Sequence, residues 1–145
     1  MSHISKAKVN VVFNNETLLQ KSLLSLKNVT VLQNAFLYRE TGTKREIDKS
    51  KGLFDYVVQD EKDNTLRVGF KKNGDGVFEV YYDDWGESGR FSHKVINKTS
   101  DWYVAYSTAE AIKEAAKEQF IDFNIDVFED EETEEIVIDA QENIW

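Results

Sequence analysis

Asp83 and Asp84 are adjacent carboxylates that close an apolar run, and Trp85 and Gly86 follow them directly. Two neighbouring carboxyls can share a proton, so that one keeps it near neutrality and serves acid–base chemistry. Alternation along a strand points successive side chains to opposite faces, so the pair converges only if the turn rotates it. The second use of this stretch is recognition. Tyr82 and Trp85, with Trp145 at the C-terminal end, are aromatics of the kind that anchor interfaces, because they bury much area at low entropic cost. Tyr82, Asp83, Asp84, Trp85 and Trp145 are therefore the candidate partner-binding residues.

Other chemistries lack their residues. There is no cysteine, which removes disulfides, thiolate nucleophiles and zinc–thiolate sites. His3 and His93 are the only histidines, and no carboxylate spacing around them predicts a metal site. The turn Asn73-Gly-Asp-Gly76 matches neither a phosphate loop nor a dinucleotide fingerprint, and its acids lack the alternation of a calcium loop. No nucleophile elbow accompanies the serines. The expectation is a protein with no catalytic residues, no metal and no cofactor. A small-ligand domain or hydrolase using Asp83 and Asp84, with His93, is the enzymatic alternative.

These residues need a scaffold, and the hydrophobic periodicity outlines one. Val9, Val11 and Phe13 alternate with polar residues and predict a strand over 8–13. Asn14 and Asn15 break it and cap a helix whose Leu19, Leu23 and Leu26 share one face. Short strands are expected at 29–32 and 35–38, then a mobile, locally basic loop over 39–52. Residues 53–58 and 66–70 read as strands, and the Asn-Gly and Asp-Gly steps before Val77–Tyr82 predict a tight hairpin. A short helix is expected over 88–98, with 102–106 ambiguous between strand and turn. Ser107-Thr-Ala-Glu110 has the form of a capping box that opens a further helix to about Gln119. The alternation from Ile121 to Val127 and the run from Ile136 to Ala140 close the chain as a hairpin around the acidic stretch 129–135.

The whole predicts a single α+β domain over 1–145, a mostly antiparallel sheet meander with about three helices packed on one face. At 145 residues the chain is long enough for one core. No apolar run approaches the ~20 residues of a membrane span. The N-terminal segment has no apolar signal region, so the expected compartment is the cytoplasm. The net charge of −9 is uneven: residues 109–145 hold 13 acids against 2 lysines. That end would repel nucleic acid and attract a basic surface. The absence of proline, with abundant Asn, Lys and Ile, is the composition expected of an AT-rich genome such as a phage's.

Several of these pieces recur together in one family. The start Met1-Ser-His-Ile-Ser-Lys6, the Val68-Gly69-Phe70 strand, the Asp84-Trp85-Gly86 turn, the aromatics at Tyr103 and Tyr106, and Trp145 resemble, in that order, the Ycf-thirty-five-like family of plastid, cyanobacterial and phage proteins. The chain departs from it at Ile4, Gly86, Gln119 and Ile144, which marks it as a divergent member. The family has no established activity or catalytic residues to carry over. What the resemblance implies is an accessory protein, sometimes encoded beside an ATPase of the AAA+ class. The expected function is thus a small non-enzymatic adaptor acting through protein–protein contacts. A phage inhibitor of a host factor, binding through the acidic C-terminal surface, is the alternative reading.

Overall fold

The computed structural model describes residues 3–143. Its centre is a five-stranded antiparallel sheet in the order β1-β7-β6-β5-β2. The strands are β1 (Ile4–Lys6), β2 (Val29–Ala35), β5 (Phe54–Asp60), β6 (Arg67–Lys72) and β7 (Phe78–Asp83). β5, β6 and β7 form a meander of successive hairpins, with β2 and β1 added at its two edges. Two separate hairpins complete the strands: β3 (Leu37–Glu40) with β4 (Arg45–Asp48), and β8 (Phe123–Glu129) with β9 (Ile136–Glu142).

Among the described residues there are two helices rather than about three, α1 (Glu16–Leu24) and α2 (Gly86–Glu118). The expected helix over 88–98, the ambiguous 102–106 segment and the helix from Ser107 are one 33-residue helix. Hydroxyl residues along its length are absorbed by it. Thr99, Ser100 and Thr108 donate their hydroxyls to the carbonyls of Val95, Ile96 and Val104, four residues back, at 2.7, 2.9 and 2.8 Å. A hydroxyl satisfied this way leaves the backbone ladder intact. Ser107 therefore lies mid-helix and caps nothing. At 1.5 Å per residue α2 is about 50 Å long, so it extends well past the edge of the sheet.

Both helices cover the same sheet face. Leu18, Leu19 and Leu23 of α1 and Val95, Ile96 and Tyr103 of α2 share one core with Tyr56, Val58, Val68, Phe70, Phe78 and Val80. Phe13 lies at its centre, with its ring edge-on to Tyr103 at 5.0 Å and to Phe70 at 6.0 Å. Asn15 caps α1 as the sequence predicts, accepting from the Leu18 amide at 3.1 Å. On the opposite face Ile4, Leu37, Phe54 and Val57 form a second, smaller cluster under β3.

Two further expectations change. The segment 8–13 is not a strand. Its backbone bonds to β7 at the two ends, where the Ala7 amide donates to the Val80 carbonyl and the Phe78 amide to the Phe13 carbonyl, at 2.7 and 2.9 Å. Its alternation records Val9, Val11 and Phe13 packing on the core, which needs no ladder. The stretch 39–52 is not a loop throughout, because β3 and β4 pair within it. Among the described residues no helix is long and apolar enough to cross a membrane.

Candidate functional site

The turn from β7 into α2 carries four of the five candidate residues. Its organiser is Asp83, the last residue of β7, which is 1% exposed. One carboxylate oxygen accepts the Trp85 amide at 3.1 Å, and the other accepts the Glu40 amide from β3 at 2.9 Å. A buried carboxylate is tolerated because backbone donors replace its water. Asp83 thus ties the start of α2 to the β3–β4 hairpin. Asp84 is exposed. The turn sends the two acids apart and does not assemble them into a pair.

Two glycines let the chain wind so tightly here. Gly86 has φ +56°, and a Cβ on it would lie 3.4 Å from the Glu40 carboxylate oxygens. Gly89, one helical turn into α2, faces the Asp84 carbonyl, which would be 2.6 Å from an added Cβ. The turn packs its own backbone against the first turn of the helix, closing with the Gly89 amide donating to the Trp85 carbonyl at 3.2 Å.

Trp85 is the N-cap of α2 and makes no side-chain capping bond. Its side chain stands 54% exposed on this braced turn. Tyr82 is half-buried, with its ring edge-on to His93 of α2 at 5.3 Å. Trp145 lies outside the described residues.

The β3–β4 hairpin supplies a second brace. Arg45 reaches Asp63 at 2.7 Å, Glu87 in the first turn of α2 at 3.0 Å and Glu40 at 3.4 Å, and also donates to the Thr65 hydroxyl at 2.9 Å. Burial opposes the guanidinium charge, but the hydrogen bonds to Asp63, Glu87 and Glu40 outweigh it and hold the Arg45 pKa above its ordinary value. Thr65, against the opposing pull of burial, and then Arg45 hold the Asp63 carboxyl below its ordinary range. Arg45 and Glu40 were missed as site residues while their segment read as a loop. A signal was present: the stretch Arg39-Glu40 … Arg45-Glu46 is complementary when folded back, and the register pairs Glu40 with Arg45 and Arg39 with Glu46.

Among the described residues no group of three or more His, Asp or Glu side chains is placed to hold a metal. His3 is exposed, and His93 is engaged with Tyr82. The arrangement offers an exposed indole on a fixed backbone, flanked by Asp84 and Glu87. No family model matches the chain, and no curated protein or solved structure is found similar to it. The residues quoted above thus remain the whole support for the Ycf-thirty-five-like resemblance.

Proposed function

We propose that the protein is a cytoplasmic, non-enzymatic accessory or adaptor protein that docks a protein partner on the β7–α2 turn, with Trp85 as the anchor. The observation that carries this reading is a half-exposed tryptophan on a turn braced from two sides. Asp83 fixes its amide and Gly89 packs under the turn, so little ordering remains to be done on binding. Preorganised aromatic side chains are the commonest interface anchors. The resemblance makes an AAA+ ATPase the first partner class to try.

The enzymatic alternative draws less support from the geometry. Asp83 has both oxygens on backbone amides, and Asp84 stands apart in solvent.

The test compares the tagged parent with Trp85→Ala in affinity capture from the native host, followed by affinity measurement on the purified pair. Truncating an anchor should weaken binding by about 2 kcal/mol or more, roughly 30-fold, while the melting temperature stays put. Unchanged affinity for Trp85→Ala in a folded protein would overturn this assignment.

A further inference from the structure

We propose that the outer face of the β8–β9 hairpin is a docking surface for a basic, extended protein segment. It lies apart from the Trp85 turn and goes beyond that reading.

The register sorts the hairpin into two faces. Ile125, Val127, Ile136 and Ile138 share one side, and α2 packs against the hairpin. On the other side Asn124 stands opposite Gln141, Asp126 opposite Asp139 and Phe128 opposite Val137. Among the described residues that side stays largely open: Asn124, Asp126, Asp139 and Gln141 are exposed, Phe128 is 39% exposed and Val137 is half-buried.

Two aspartates directly opposite on one face repel each other and weaken the pairing. Among the described residues no lysine or arginine pairs with either. Lys27 and Lys98, which do reach the hairpin, both hold Glu129, at 2.8 and 3.1 Å. The β3–β4 hairpin of the same chain does the opposite, setting Glu40 against Arg45 and Arg39 against Glu46. That hairpin offsets its acids with bases within its own pairing. β8–β9 keeps a repulsive pair beside the partly exposed Phe128 and Val137, a local cost with no gain among the described residues.

Charge chooses the occupant. A second copy of the chain would bring the same acids, and nucleic acid would be repelled. A lysine- or arginine-rich segment would neutralise Asp126 and Asp139 while an apolar side chain settles on Phe128 and Val137. The backbone also accommodates a strand, since the hairpin is a two-stranded sheet and each strand has one unpaired edge. The adjoining acidic loop is ordered. Asp130 accepts the Glu132 and Thr133 amides, each at 2.9 Å, and its own amide donates to the Glu135 carbonyl at 2.8 Å.

The experiment titrates the full chain with a peptide as long as β8, alternating lysine and valine, by calorimetry, with a glutamate–valine peptide as control. The parent should bind the lysine peptide and not the control, and binding should weaken as salt rises from about 0.05 to about 0.5 M. The double variant Asp126→Asn with Asp139→Asn should lose affinity about tenfold or more, yet melt no lower than the parent, because the repulsion is gone. Trp85→Ala should bind the peptide as the parent does, which separates this surface from the Trp85 turn. The proposal is overturned if the parent ignores the lysine peptide, if the double variant binds it as well as the parent, or if the double variant is less stable. Self-association or duplex DNA binding that the double variant abolishes would equally overturn it, by naming another occupant.

Discussion

Replacing Asp83 with alanine removes the acceptor of two backbone amides, those of Trp85 and Glu40. A hydrogen bond to a charged group contributes about 1.5–3 kcal/mol net. Both donors are only partly buried and water can reach them once the carboxylate is gone, so the two losses do not add in full. The expected cost is about 2–3 kcal/mol. In urea, with a slope of about 2 kcal/mol per molar for a chain of this size, the midpoint should fall by about 1–1.5 M at unchanged slope. Asp83→Asn keeps one acceptor but turns an amide group toward the second donor, so it should lie between parent and alanine. Asp84→Ala, at an exposed position, should stay within about 0.5 kcal/mol of the parent. The contrast between neighbours is what matters. Equal effects at 83 and 84, or a midpoint for Asp83→Ala within error of the parent, would refute the description of the turn as braced by one buried carboxylate.

Two further outcomes follow from the same structure. Asn15→Ala should cost about 1 kcal/mol through loss of the cap on α1, whereas Ser107→Ala should stay within about 0.5 kcal/mol because Ser107 sits inside α2; a large loss at Ser107 in urea unfolding would show a helix start there after all. Lys27, against the opposing effect of burial, and then Lys98 hold the Glu129 carboxyl below its ordinary pKa. A depressed folded-state pKa contributes stability that is complete above the unfolded value, near 4.3, and is lost as pH falls through the folded one. The melting temperature of Glu129→Gln should therefore lie below the parent at about pH 6 and converge on it toward about pH 3, and parallel curves would rule the linkage out.

Much of the scaffold was legible because its signals are local. Asn73 to Gly76 fixed the β6–β7 hairpin, with the Asn73 side chain accepting the Asp75 and Val77 amides at 2.9 and 3.0 Å. Asn15 marked the start of α1, and all of the acidic stretch 129–135 except Glu129, the last residue of β8, fell between β8 and β9. Features that depend on distant partners were not legible. Ser107-Thr-Ala-Glu110 has the form of a cap, and only the surrounding helix shows that it is interior. Which of Asp83 and Asp84 turns inward depends on β3 delivering the Glu40 amide and on β1 pairing Ile4 with Asp83. Neither contact leaves a trace near residue 83. The β3–β4 pairing was missed because five of its eight residues are charged, so its complementarity lies in charge order, where hydrophobic periodicity has little to read.

The unbroken length of α2 bears directly on whether the two proposed surfaces act independently. Trp85 stands at its N-terminus, and the acidic hairpin lies back along its later part, with Lys98 donating to the Glu134 carbonyl at 2.5 Å and pairing with Glu129. Lys98 stands thirteen residues after Trp85, about 20 Å along the axis. No proline interrupts that rod, and its glycines, Gly86 and Gly89, both lie in the first turn. Sites this far apart with no shared partner should contribute additively. A single compact partner that lost affinity in a strongly non-additive way on combining Trp85→Ala with the Asp126 and Asp139 changes would have to couple them through α2 itself. Two different partners binding independently would need no coupling through α2.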